Sequence, residues 1–367
     1  MIKPNLDIVE LVSKLEDPRS RYCPHNFSEV VITTICSAVC GMLEWDEIVF
    51  FATENKQWLK EKLKVNFANG IPSQFTFARV ISSIEPNAFS KIFTDWMQAV
   101  YPPKENGVIS IDGKSLRGSY QEMKGVNLVH IVNAMACDNG ITLAQLEVQD
   151  KENEITAIPK LLEYLDIRKS IITMDAMGSQ KSIAKIIRDH KGDYIFAIKS
   201  NRKHLFQSLK LRFKEVRDDQ TKLKFQQKEF KTKLENQHGR VEERVCIIMP
   251  VSQLSADQEK EISEWADVKT AVQISYTHTN KTTGEVKTEI RFFITSLKPD
   301  AQKIAQAIRE HWHIENKLHW VLDVVYKEDD SRMRMNFAPH NASVIKKIAL
   351  NILRTDTTFT KSLPNSP

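Results

Sequence analysis

Residues 301–326 read AQKIAQAIREHWHIENKLHWVLDVVY. Steps of three and four select Ile304, Ile308, His311, Glu315, Leu318, Leu322 and Val325, one face of an amphipathic helix. The spacing predicts one long helix lying on a core. All of these residues are aliphatic except His311 and Glu315. A carboxylate in an apolar stripe is costly to bury unless it is paired, hydrogen-bonded or metal-bound. Glu315 therefore needs partners from elsewhere in the chain.

Those partners are sought upstream. From Gly107 the chain reads GVISIDG, then VNLVHIVNAMAC and ITLAQLEVQ, with the turn Asp138-Asn139-Gly140 between the last two. A helical run, ITAIPKLLEYLD, leads to the apolar strand SIITMDAMG. A helix opened by Ser179 and the strand GDYIFAIK follow. Three strands, helix, strand, helix, strand define an α/β layer with a mixed sheet. Asp112 and Asp175 stand at the ends of two of these strands, where open α/β sheets place their sites.

Further out, residues 1–98 read as helices. Asn69-Gly70 and Pro72 break them, Ser73 caps the next helix, and Cys36 and Cys40 are read as core. Pro102-Pro103 marks a boundary between a helical module, 1–102, and a second domain, 103–355. A helical module of this kind could hold a DNA-binding helix-turn-helix, although the spacing also fits plain helical packing. Between Lys199 and Arg244 stand 14 Lys and Arg against 7 Asp and Glu, an excess of 7 that exceeds the +5 of the whole chain. Such a block suits a polyanion or a solvated helix face. Strand-like runs fill 245–297, so that about 200–297 reads as a β-rich insertion, and 356–367 as a frayed tail.

The chain's 367 residues, 41% hydrophobic and 27% charged, fit a globular protein with more than one core. Five scattered cysteines without a CxxC pair suggest a reducing compartment. No signal core and no bilayer-length apolar run are present, so a cytoplasmic protein without a membrane partner is expected. His311, His313 and His319 lack cysteines at ligand spacing, which argues against zinc.

Three acids stand out: Asp112, Asp175 and Glu315. Brought together, they would make a hard, oxygen-rich site suited to Mg²⁺ or Mn²⁺. Two such ions can activate a nucleophile and stabilise the leaving oxygen of a phosphodiester. Read alone, Asp112-Gly113 is also a common turn pair. Glu315 is also a candidate ion-pair partner of His311, one helical turn back.

The sequence resembles the DDE transposases of bacterial insertion sequences, and among them the H-repeat-associated transposases found near Rhs elements. The resemblance rests on I-D-G-K-S-L-R-G-S at 111–119, T-M-D-A-M-G-S-Q-K at 173–181 and A-I-K-S-N at 197–201. It continues with H-G-R-V-E-E-R at 238–244, H-W-H-I-E-N-K-L-H-W-V-L-D-V at 311–324 and E-D-D-S-R at 328–332. It implies an RNase H-like core, an insertion between the second and third acids, and Asp112, Asp175 and Glu315 as a metal-binding triad, with two ions expected. The wider group carries Tyr-x2-Arg-x3-Glu-x6-Lys around the third acid, where this chain has Ile308, His311, Glu315 and Leu322.

The implied partner is double-stranded DNA, both terminal repeats and target, bound by a homodimer or larger assembly. Candidate DNA contacts are Lys114 and Arg117, Lys199, Arg202, Lys203 and Arg240 of the basic stretch, and Arg309 and Lys317 near Glu315. His311, His319 and Asp323 are candidate neighbours of the metal ligands. The acids 328–330 are read as a solvated run, and Trp312 and Trp320 as packing residues. Two other readings stay open: a DNA-binding relic, which would bind without nicking, and a stand-alone nuclease, which would cut without joining.

Overall fold

The computed structural model describes residues 7–20, 23–120, 128–149, 153–218, 228–235, 240–254 and 256–356. Six helices come first: α1 (Ile8–Ser13), α2 (Phe27–Val39), α3 (Trp45–Glu54), α4 (Lys56–Leu63), α5 (Gln74–Ser83) and α6 (Pro86–Val100). Three strands follow, β1 (Val108–Leu116), β2 (Val129–Ala136) and β3 (Ile141–Val148), then α7 (Glu154–Tyr164), β4 (Ile171–Met174), α8 (Lys181–Asp189) and β5 (Asp193–Ile198). The insertion holds α9 (Lys203–Asp218), β6 (Lys228–Glu235), β7 (Arg240–Pro250), α10 (Ala256–Ser263), β8 (Thr270–Asn280) and β9 (Val286–Thr295). The chain then runs through α11 (Ala301–His311), a π-helical turn (Ile314–His319), α12 (Trp320–Val324) and α13 (Ala338–Thr355). This is a mixed α/β fold with a helical N-terminal region and a β-rich insertion.

The chain packs as two compact units. The first joins Met1–Pro102, Asp112–Asp166 and His313–Pro367; the second joins Pro103–Ile111 and Ile167–Trp312. In the first, α13 is buried along nearly its whole length, so its polar groups need partners. They have them. Asn341 donates to Ile81 O and Ile84 O at 2.8 and 2.9 Å, and Asn351 exchanges bonds with the Thr142 backbone. Phe77, Phe89, Phe93 and Trp96 complete this core. β2 and β3 form the expected hairpin, with Gly140 at φ +73 closing its turn.

In the second unit, β4 lies parallel to β1 and β5, and the sheet continues β9-β8-β7-β6 with antiparallel pairs. Ile183, Ala184 and Ile187 bury one face of α8, and Ala301, Ile304, Ala307 and Ile308 one face of α11. Phe206 and Phe213 pack α9 on Phe292 of β9, with centroids 5.5 and 5.9 Å away.

Several expectations are corrected. The stretch 301–326 is not one helix: α11 stops at His311, with Trp312 as its C-cap, and the π turn follows. A π turn adds about one residue per turn, so the face turned inward shifts. Beyond it Ile314, Leu318, Val321 and Leu322 are buried, while Glu315 is exposed and Val325 is 42% exposed. Among the described residues, the basic stretch holds the helix Lys203–Asp218 and the strands β6 and β7. Cys40 is exposed, and the cap of α8 is Gln180, because the Ser179 hydroxyl donates to Asp175 O instead. The frayed tail beyond Asp356 lies outside the described residues.

Candidate metal centre

β1 carries Asp112 four residues after its start, and the π turn carries Glu315 and His319 one turn apart. Donor atoms of these three lie within 4.8 Å of one another. The His319 Nδ1 is 3.1 Å from Glu315 Oε2 and 3.7 Å from Asp112 Oδ2. The imidazole is buried, at 6% side-chain exposure, whereas the carboxylates are 30% and 58% exposed. Its Nδ1 holds the Glu315 carboxyl below the usual carboxylate range; partial burial opposes this, and the more distant charge of Lys114 assists it. Two carboxylate oxygens and one imidazole nitrogen suit a divalent cation, and the exposed carboxylate side leaves room for further ligands.

The end of β1 is held from beneath. Lys114 Nζ donates to Asp323 Oδ1 at 2.5 Å and Asp329 Oδ1 at 3.3 Å, with Glu328 Oε2 at 3.9 Å. Burial works to lower the Lys114 pKa, but these three acids outweigh it and hold the lysine above its usual value. Asp323 is pushed up by burial, against the pull of Lys114. Gly118 completes the contact, because a Cβ there would stand 2.4 Å from Ser331 O and 2.8 Å from Asp329 O. Arg334 Nε donates to Gly118 O at 2.5 Å. Gly113 is equally confined, by the Glu154 carboxylate and the His130 ring.

Asp175 belongs to the second unit. It follows β4, and its Oδ1 accepts from the backbone N–H groups of Met177 and Gly178 at 2.9 and 3.1 Å. It lines a recess with Lys199, Arg291, His311 and Trp312. Burial pushes the His311 pKa down to about 4; the Asp175 charge opposes this, and Lys199 and Arg291 add to it. His311 Nδ1 faces Thr173 Oγ1 at 3.2 Å. Within this unit Ile111 pairs in register with Met174, the residue before Asp175.

The other candidates divide by exposure. Lys199, Lys203 and Arg309 are exposed, and Arg117 is 82% exposed with its guanidinium 3.6 Å from Asp329. Lys114 is not a surface cation: its side chain is 8% exposed and spent on acids. Arg202 bonds to Gln180 and lies over the Trp265 ring. Lys317 donates to Cys137 O at 3.0 Å, beside the β2–β3 turn. The Arg240 side chain lies outside the described residues. His319 stands among the candidate ligand atoms themselves. Asp323 and Asp329 pair with Lys114 and Glu328 is buried, so the acids 328–330 are not simply a solvated run. Glu315 pairs with His319.

Arg291 and Trp312 were not foreseen as site residues. Arg291 lies 5.1 Å from both the Tyr276 and Trp312 ring centroids, within cation–π reach, and Trp312 is 45% exposed. The only sequence signal was a charge inside the strand-like run EIRFFITSL.

Asp112 in the middle of β1 and Glu315 and His319 of the π turn thus form an acid-and-histidine cluster in a mixed α/β fold with a β insertion. The chain belongs to the transposase DDE domain family, whose model matches residues 103–352, with a DDE_Tnp_1-associated model matching 9–97. It is 40% identical over 349 residues to the putative transposase YncI of Escherichia coli O157:H7, covering 95% of this chain and 87% of that one. It is 36% identical over 364 residues to the H repeat-associated putative transposase YhhI of Escherichia coli K12, covering 97% and 92%. A piggyBac transposase synaptic complex with hairpin DNA superposes with a TM-score of 0.44 and 11% identity, covering 94% of this chain and 73% of that one.

Proposed function

We propose that this chain is a DNA transposase that cuts the ends of an insertion sequence and joins the freed 3′ ends to target DNA. Asp112, Asp175 and Glu315 are its acidic triad in this reading. The observation that carries it is the Asp112, Glu315 and His319 donor cluster in a chain of the transposase DDE family. Asp175 is included because it stands in the stretch T-M-D-A-M-G-S-Q-K, which resembles the family's second acid motif.

Asp112 and Glu315 would hold Mg²⁺ or Mn²⁺, and Asp175 is assigned to the triad from the family resemblance. Such ions lower the pKa of an attacking water or hydroxyl and offset charge at the scissile phosphate. The chain's own groups do the positioning. Lys199 presents positive charge beside Asp175 to a phosphodiester, and exposed Lys203 and Arg309 extend it, whereas Arg291 is paired with Glu289 at 2.7 and 3.1 Å. Hydrolysis and strand transfer then share one site, with water and a 3′-hydroxyl as successive nucleophiles. Residues 1–102 contribute to holding DNA, 103–355 carry catalysis, and the active complex contains at least two copies. Among the described residues, no helix is long and apolar enough to cross a membrane.

The test is nicking and strand transfer on DNA carrying the element's terminal repeats, with Mg²⁺ or Mn²⁺. Loss of a mere neighbour of a metal ligand costs about 10–100-fold, so Asp175→Asn and Glu315→Gln should each lose roughly a hundredfold or more. Undiminished nicking by either variant rules out its place in the triad. Cutting without joining points to a nuclease.

A further inference from the structure

We infer that His319 is itself a ligand of the divalent ion at Asp112 and Glu315, and that its nitrogen biases this site toward Mn²⁺ over Mg²⁺. The inference rests on the metal reading of those two acids.

Three observations carry it. The first is position: the His319 Nδ1 lies 3.1 and 3.7 Å from oxygens of the two carboxylates, so one ion can reach all three groups after small side-chain adjustments. The second is burial. The carboxylates face solvent and can turn, but the ring is 6% exposed and fixed by packing. Its Nε2 is buried without a hydrogen-bond partner, so the ring's polar contacts are all on the Nδ1 side. A ring held in that way answers to whatever occupies the carboxylate side. The third is the π turn Ile314–His319, which sets Glu315 and His319 almost above one another. Such turns interrupt regular helices most often at functional sites.

The competing explanation is a plain histidine–glutamate ion pair. It leaves open why the ring also faces Asp112, and why the nearby cation Lys114 is given over to Asp323, Glu328 and Asp329. Donor chemistry then sets the preference. Oxygen donors suit Mg²⁺, Ca²⁺ and Mn²⁺ alike; an imidazole nitrogen adds affinity for a first-row transition ion, Mn²⁺ least among them, but little for Mg²⁺, which keeps to oxygen ligands and water.

The experiment uses the full chain, without DNA. Free Mn²⁺ is followed by electron paramagnetic resonance during titration, and Mg²⁺ is measured by competition. Wild type should bind Mn²⁺ more tightly than Mg²⁺. His319→Ala should weaken Mn²⁺ by roughly 10–100-fold and Mg²⁺ by less than about threefold. Equal losses for both ions, or none, overturn the inference and leave His319 as a packing residue. Should His319→Ala fail to fold, His319→Gln carries the same comparison. Nitrogen hyperfine modulation in the Mn²⁺-loaded wild type is a readout that needs no variant, and its absence overturns the assignment. Asp112→Asn separates the two levels: if it weakens neither ion, the metal reading of the acids fails as well.

Discussion

Glu328→Gln removes one negative charge from the most buried ionic cluster of the first unit. Glu328 is 3% exposed. Its Oε1 accepts from Ser343 Oγ at 2.8 Å, and Ser343 Oγ accepts from Lys347 Nζ at 2.5 Å. Lys346 and Lys347 are 3% and 1% exposed. Burial works to raise the Glu328 pKa, but the charges of Lys347, Lys346 and Lys114 win and hold it low. Lys347 is pushed down to about 8 by burial, against the pull of Glu328. Removing one partner of a buried pair costs about 3–5 kcal/mol, because the other charge stays buried without compensation. At about 2–4 °C per kcal/mol, the melting temperature should fall by on the order of 10 °C. The pH dependence follows from the sign of the lysine shift. The folded pKa of Lys347, about 8, lies below its unfolded value near 10.4, so between them the unfolded chain holds more protons and stability rises with pH. Without Glu328 the folded pKa is lower still, so the gain starts at lower pH. Melting curves of both proteins from about pH 7 to 9.5 should therefore show the deficit shrinking as pH rises. A loss under about 1 kcal/mol, or a deficit that stays constant with pH, refutes Glu328 as the shared counter-charge.

Two further outcomes follow from the first unit. Gly118→Ala would drive a Cβ to 2.4 Å from Ser331 O, a backbone atom that cannot swing away. Urea unfolding should show a loss of roughly 2 kcal/mol or more, and a near-neutral result would mean that the 328–332 segment yields readily. Burial holds the His340 pKa down at about 4, against the hydrogen bond with Asn341, which raises it; Ser90 and Gln145 also bond to the ring. Its folded pKa is below its unfolded value, so stability is full above about pH 6.5 and is lost as pH falls toward 4, by about 3 kcal/mol. His340→Gln should flatten that acid limb in a stability-versus-pH series.

Local signals in the sequence carried most of the fold. Ser73 caps α5 as its position before a helical run implies, and Asp138-Asn139-Gly140 closes the hairpin it spells out. The alternation of strand and helix from β1 to β5 was legible because each run has its own period. The π turn was not legible. A pattern read at 3.6 residues per turn cannot register one extra residue within a turn, so Glu315 counted as part of a buried stripe that it leaves. His319, four residues after Glu315, was legible as its neighbour on a helix; what no local pattern showed is its approach to Asp112.

Long-range contacts escaped for a different reason. Lys114 and its acid Asp323 are 209 residues apart, and no local pattern pairs them. In the fold, I-D-G-K-S-L-R-G-S and E-D-D-S-R are two sides of one contact, made by Lys114, Arg117 and Gly118 against Asp329 and Ser331. The same contact seats β1, which carries Asp112 at its middle, beside the helical segment that follows the turn carrying Glu315, through Lys114 and Asp323. This changes how a mutation there must be interpreted. Lost activity in Lys114→Ala has a structural cause available, namely three acids left without their cation, before any loss of phosphate contact. The two causes separate in salt. A lost phosphate contact reduces the dependence of DNA affinity on salt by about one ion, whereas a displaced Asp112 leaves that slope unchanged and weakens metal binding instead.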